Sequence, residues 1–70
     1  MEYLRRTRNM PWLKRGMRCD MDGKPGTVTG AGTYLHIRFD GQRHSVNCHP
    51  TWAMTFYDAS GKVVADYKAG

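Results

Sequence analysis

The feature that most constrains this chain is a series of short segments with a period of two, separated by glycine-rich turns. Met17, Cys19 and Met21 alternate with polar residues, and the apolar positions of the segment 34–39 alternate in the same way. Such alternation places every second side chain on one face and predicts half-buried β-strands. A succession of strands this short predicts an all-β domain and argues against a helical bundle.

The spacing of the turns predicts five to six short antiparallel strands that close into a small barrel. The predicted strands cover residues 17–21, 27–29, 34–39, 43–48 and 53–57, with 62–67 as a sixth strand or C-terminal ribbon. Asp22–Gly26 is dense in turn residues. Pro50 interrupts the chain after the fourth strand, and the corner from His49 to Trp52 is predicted to form one 3₁₀ turn. Closure of the sheet would remove its exposed edges.

The Asp40-Gly41 pair predicts the register of the central hairpin. Both central positions of a type I′ turn need positive φ, which Asp-Gly adopts readily. A two-residue turn at this point places Arg38 directly opposite Arg43. Like charges in that position disfavour the pairing slightly, unless the two guanidinium groups hold an anion.

Four stretches of the chain share the layout of a known group of small barrels. They are Gly16–Cys19, which opens the first strand, Gly26–Gly30, Leu35–Gly41 and the His49–Trp52 corner. Over roughly residues 14–57 this pattern resembles a small SH3-like barrel of the broad KOW, Tudor and chromo-type group. The resemblance implies a barrel fold and a binding role, since modules of this group bind RNA, DNA, methylated peptides, ribosomes or other proteins. The single-module layout is also similar to small bacteriophage and plasmid proteins.

One enzyme has a similar barrel, the plasmid-borne type II dihydrofolate reductase, whose signature is a Val-Gln-Ile-Tyr run before the last corner. Here that place reads Ser45-Val46-Asn47-Cys48, so the residues that would hold folate and nicotinamide are absent. A chain of 70 residues also leaves little room for the walls of a catalytic cleft. We therefore predict a non-enzymatic protein without a cofactor.

The positive charge is concentrated at the N-terminus. Residues 1–18 hold six cationic side chains against Glu2 alone, which accounts for the whole net charge of +5. We predict that residues 1–15 form a basic arm, with a short helix or irregular segment ending near Met10, and that residues 16–70 form the barrel. Terminal blocks of like charge often seek phosphate or acidic surfaces. The simpler interpretation is that the arm only keeps a small domain soluble.

Two groups of side chains are predicted to contact a partner. The first group, which we call the basic segment, comprises Arg5, Arg6, Arg8, Lys14 and Arg15. The second group, which we call the hairpin face, comprises Tyr34, His36, Arg38 and Arg43. Arginine offers a planar fork for phosphate or carboxylate, and an exposed aromatic ring can stack a base. Alternatively, Asp40, Asp20 or solvent neutralises the arginine pair and the face has no function.

Cysteine and histidine residues offer the donor types of a zinc site but not its spacing. The candidates are Cys19, His44, Cys48 and His49, without any Cys-x-x-Cys knuckle, and adjacent residues of a strand point to opposite faces. We therefore predict no metal site, with both cysteines as small core residues.

The two tryptophans are assigned differently. Trp52 lies two residues after Pro50 and is predicted to lie in the core at the barrel corner. Trp12 either plugs the open end of the barrel or stands exposed as a contact residue.

The sequence favours a cytoplasmic binding protein. No apolar run approaches the ~20 residues that span a bilayer, and arginines interrupt the N-terminus where a signal peptide needs an apolar core. Two cysteines do not make a disulfide framework. The preferred partner is nucleic acid, RNA or DNA, bound electrostatically with little base readout. The alternative is a protein–protein adaptor or inhibitor that docks on an acidic surface of a transcription, translation or defence machine, as a monomer or weak homo-oligomer.

Overall fold

The computed structural model describes residues 1–67 and shows one antiparallel sheet of six strands with a short N-terminal helix. The elements are α1 (Glu2–Thr7), β1 (Arg18–Met21), β2 (Lys24–Ala31), β3 (Leu35–Phe39), β4 (Val46–Cys48), β5 (Met54–Tyr57) and β6 (Val63–Asp66). The strands lie in the order β4-β3-β2-β1-β5-β6. The all-β prediction is confirmed. The prediction of closure is wrong for residues 1–67, because β6 pairs with β5 and leaves β4 and β6 as unjoined edges.

The first hairpin turns more tightly than predicted. Asp22 and Gly23 both have positive φ, 51° and 90°, and they alone connect the strands, since Met21 pairs with Lys24. This is the pattern of a type I′ turn. The residues that follow, up to Gly26, therefore belong to β2, which is eight residues long.

The second hairpin turns less tightly than predicted. Only Gly41 has positive φ (86°), and the Gln42 amide donates to the Phe39 carbonyl at 3.0 Å, as in a type II turn. The chain then continues to residue 45 before β4 begins, so Ile37 pairs with Val46. The predicted register is wrong by two residues. Because a shift of two preserves the faces, the inward and outward sides of β3 are as predicted.

The N-terminal segment contributes directly to the core. Leu4, Met10 and Leu13 are completely buried together with the inner side chains of the sheet. A helix of six residues is marginal in isolation, so this packing is what holds α1 in place. Asn9, with a φ of 54°, ends the helix in the left-handed conformation that asparagine tolerates. Among residues 1–67 there is no helix long and apolar enough to cross a bilayer.

The two tryptophans differ in environment. The Trp12 ring is half-buried and packs against Phe56, with 5.0 Å between ring centroids. Of its two predicted positions, Trp12 therefore takes the packed one and not the exposed one. Trp52 is 63% exposed, and the prediction that it lies in the core is wrong. Pro50 takes the buried position of the corner instead, and Ala53, at a φ of 52°, turns the chain back into β5. The corner is a turn over residues 50–53 and not a 3₁₀ helix.

Candidate nucleic-acid interface

The arginines of α1 are partly engaged within the segment itself. Glu2 is the shared acid, at 3.5 Å from Arg6 Nε and 4.0 Å from Arg5 Nη1. Arg5 Nε also donates to the Leu13 carbonyl at 2.8 Å, which ties the helix to the chain that follows it. Arg5 is therefore mainly a structural residue, and Arg6 is exposed but accompanied by a carboxylate.

The remaining cations of the basic segment face solvent. Arg8, Lys14 and Arg15 are exposed, and none of them forms an ion pair within residues 1–67. Leu13 lies immediately before Lys14 in the core and Met17 lies two residues after Arg15, also in the core. The structure therefore presents these charges from a segment that is packed onto the sheet.

The hairpin face is less compact than predicted. His36 is half-buried and Arg38 exposed on the outer side of β3, while Tyr34, 52% exposed, precedes the strand. Arg43 lies in the 40–45 connection, so the predicted Arg38–Arg43 opposition is wrong, because β3–β4 pairing ends at residue 37. The end of this connection is held over β2 by a 2.6 Å contact between the hydroxyls of Thr29 and Ser45.

Arg18 is an important residue of the outer face that the sequence prediction missed. Its guanidinium donates hydrogen bonds to both carboxylate oxygens of Asp40, at 2.9 and 2.8 Å, and to the Thr27 hydroxyl at 2.8 Å. Register places Arg18, Thr27 and Arg38 in one row across β1, β2 and β3. The hydrogen bond from Arg18 lowers the pKa of the Asp40 carboxyl, and the positive charge of Arg38 acts in the same direction. Asp40 thus neutralises Arg18. In the sequence, the alternation of polar and apolar residues in β1 indicated only that Arg18 lies on the outer face.

A groove of about 300 Å³ joins the basic segment to the end of β5. We call it the basic groove, and its main lining residues are Lys14, Arg15, Met17, Arg18, Tyr57 and Asp58. Tyr57 is half-buried and pairs with Arg18 across β1 and β5, which puts its ring on the outer side of the sheet. Sequence reasoning did not assign Tyr57 to the site, because the adjacency of β1 and β5 joins residues far apart in the chain.

The cysteines do not offer a reactive site. Cys19 and Cys48 are both buried free thiols. Burial raises the pKa of Cys19 to about 12 and raises the pKa of Cys48 as well. A thiol with a raised pKa remains protonated near neutral pH and is a poor nucleophile. Within residues 1–67 no three His, Cys, Asp or Glu side chains come together as potential metal ligands.

The fold and the site together define a small antiparallel β-domain with a basic surface on its N-terminal segment. No known protein family, curated protein or solved structure matches this chain. The SH3-like relationship stays a prediction made from the strand pattern, and function has to be inferred from the geometry of the chain itself.

Proposed function

We propose that this protein is a non-enzymatic module that binds nucleic acid, mainly by electrostatic attraction to phosphate groups. The observation that carries the proposal is the position of Arg8, Lys14 and Arg15, exposed and outside any ion pair within residues 1–67. Because neighbouring side chains of the same segment are buried, these charges are held on a folded surface. Binding a partner therefore costs less conformational entropy than it would if the charges stood on a flexible arm.

The carboxylates support the proposal because several of them are already engaged. Glu2 accompanies Arg5 and Arg6, and Asp40 is gripped by Arg18. Asp58 stays charged, because its Oδ1 accepts hydrogen bonds from uncharged donors, the backbone amides of Ser60 and Lys62 and the Ser60 hydroxyl. The net charge of +5 therefore rests on cations outside these ion pairs.

We expect little sequence specificity. α1 has six residues and buries Leu4 against the core, so it is too short and too engaged to enter a major groove as a reading helix. Tyr34, His36, Arg38 and Arg43 form a second, weaker contact area in this proposal. The buried free thiols of Cys19 and Cys48 suit a reducing, cytoplasmic setting.

The proposal is tested by the salt dependence of binding in a matched pair of variants. Lys14→Gln and Lys24→Gln remove the same charge from exposed lysines, one in the basic segment and one at the start of β2. Mobility-shift titrations at about 50 mM and about 200 mM salt should show affinity falling steeply for the wild type. Lys14→Gln should reduce the slope of log affinity against log salt by about 1, and Lys24→Gln should not. Absence of binding to RNA and DNA at low salt would contradict the proposal.

A second candidate function, docking on a larger protein, is favoured by exposed apolar side chains away from the basic segment. Trp52 is 63% exposed and Val46 is 46% exposed, and Val46 lines a groove of about 480 Å³ with Met21 and Phe39. Aromatic and methionine side chains are enriched at protein interfaces. Affinity capture from lysate with and without nuclease separates the two functions, since only a protein partner survives nuclease treatment.

A further inference from the structure

We infer that the basic groove is a subsite for single-stranded nucleic acid, in which Tyr57 stacks a base and Lys14 and Arg15 hold the adjoining phosphates. The inference rests on the proposed function and assigns the strand type and the contact residues that the electrostatic proposal leaves open. It also moves the main aromatic contact from Tyr34 of the hairpin face to Tyr57.

The first support is the shape of the groove. Its volume of about 300 Å³ is at the lower end of the range for small-ligand pockets, which suits one base and its sugar. Met17, buried in the core, forms part of the floor. Beside it, a Cβ added at Gly16 would meet nothing within 4 Å, so the backbone there borders open space. A nucleic-acid strand can therefore approach the backbone closely at that point.

The second support is the state of the three cations that line the groove. Both Asp40 oxygens accept hydrogen bonds from Arg18. The charge of Arg18 is therefore balanced by Asp40 within the sheet. Lys14 and Arg15 form no ion pair within residues 1–67. These two side chains are therefore the ones available for phosphate at this site.

The third support is the acidic rim formed by Asp58. Asp58 follows Tyr57 in the lining of the groove, and hydrogen bonds from Ser60 and Lys62 to its carboxylate lower its pKa, so it is ionised at neutral pH. A negative charge beside the ring repels phosphate and leaves room for an uncharged base. The asymmetry orients the ligand, with the base over Tyr57 and phosphates toward Lys14 and Arg15.

Stacking on Tyr57 requires an unpaired base, since the bases of a duplex are already stacked on each other. Base–aromatic stacking contributes about 1–3 kcal/mol per base in single-strand binders, which corresponds to roughly 5- to 150-fold in affinity. The phosphates contribute a term common to all nucleic acids. The groove therefore predicts a preference for single strands over duplexes of the same sequence.

The test is fluorescence anisotropy of the whole protein with a labelled oligothymidine, its duplex with oligoadenine, and polyphosphate as competitor. Tyr57→Leu keeps an apolar side chain in β5 and should weaken single-strand binding by about 5-fold or more, with duplex binding unchanged. Tyr57→Phe should retain binding, and Tyr3→Leu, a matched change of an exposed tyrosine on α1, should have no effect. Polyphosphate should displace the duplex more readily than the single strand, because it competes for the phosphate contacts and not for the stacked base.

Amide NMR shifts during the same titration test the site independently of any variant. Shifts concentrated at residues 14–18 and 57–58 support the groove, including in the case where Tyr57→Leu fails to fold. Wild-type binding to single strands that Tyr57→Leu leaves unchanged, or shifts confined to the hairpin face, would overturn the groove while leaving the proposed function standing. A wild type that binds no nucleic acid at low salt would remove both.

Discussion

The N-terminal segment and the region from residue 40 to residue 53 use their apolar residues differently. The N-terminal segment, whose terminal amino group donates to the Ala31 carbonyl of β2, buries Leu4, Met10 and Leu13. In the second region, where the Ala53 carbonyl accepts from the Asp22 amide, Trp52 stays 63% exposed. The more charged of the two regions is therefore the one that completes the core. Charge composition alone does not separate a tail from a structural segment.

Leu13→Ala should destabilise the fold more than any other substitution considered. Leu13 is completely buried, and truncation of a buried leucine costs about 2–5 kcal/mol through lost transfer energy and the cavity left behind. Urea unfolding followed by circular dichroism measures the change. Unfolding of the variant at the wild-type midpoint would contradict a core role for Leu13, since residues 1–15 would then be a detachable arm.

The tryptophans offer a matched pair with a smaller effect. Trp12→Ala removes a half-buried ring that packs on Phe56 and should lower the free energy of unfolding by about 2 kcal/mol. Trp52→Ala removes an exposed ring and should change it by about 0.5 kcal/mol or less. Tryptophan fluorescence of each single variant also separates the environments, with a blue-shifted emission from Trp12. Equal destabilisation by both substitutions would contradict the structure.

Gly41→Ala should have a moderate effect in the second region. Gly41 has a φ of 86°, a conformation that costs a residue with a Cβ about 1–2 kcal/mol. Gly23→Ala, at a φ of 90° in the tighter turn, is the matched control and should cost about as much, because a Cβ at either position meets open space. Thermal unfolding of both variants measures the strain. A neutral Gly41→Ala would indicate that the 40–45 connection adopts another turn.

The smallest effect is expected from Asp40→Asn, and it should depend on pH. The hydrogen bond from Arg18 lowers the pKa of the Asp40 carboxyl below its ordinary value of 3.8. A lowered folded-state pKa stabilises the fold above the unfolded-state pKa, and this contribution disappears as the pH falls through the folded-state pKa. Wild type should therefore exceed Asp40→Asn in stability at pH 7 and converge with it in acid. A constant difference across the titration would exclude this ion pair as its source.

Strand existence was predictable from the sequence, whereas register was not. The segments around Cys19 and Ile37 alternate clearly enough to predict both strands and their buried faces. The dipeptide Asp-Gly occurs twice, at 22–23 and 40–41, yet only the first pair forms a two-residue turn. Contacts distant in the chain distinguish them: the Asp22 amide binds Ala53, while Asp40 is held by Arg18.

The candidate site was predictable in residue type but not in arrangement. The concentration of charge at the N-terminus predicted Lys14 and Arg15 as contact residues, and both side chains are exposed. Tyr57 and Arg18 were missed as neighbours because they meet only when β5 pairs with β1, a contact spanning most of the chain. Trp52 was misplaced because the neighbouring Pro50 fills the interior position at the corner.

If the proposed nucleic-acid binding holds, the burial of Leu13 directly before Lys14 links ligand affinity to the folding equilibrium. An unfolded chain carries the same charges in no fixed pattern, so a ligand that fits the pattern binds the native state more tightly. Mass action then stabilises the native state by about 2.7 kcal/mol when the free ligand concentration is a hundred times the dissociation constant. The melting temperature rises with the ligand concentration for the same reason. A single calorimetric transition that moves upward with added oligonucleotide would report recognition and the integrity of the core together.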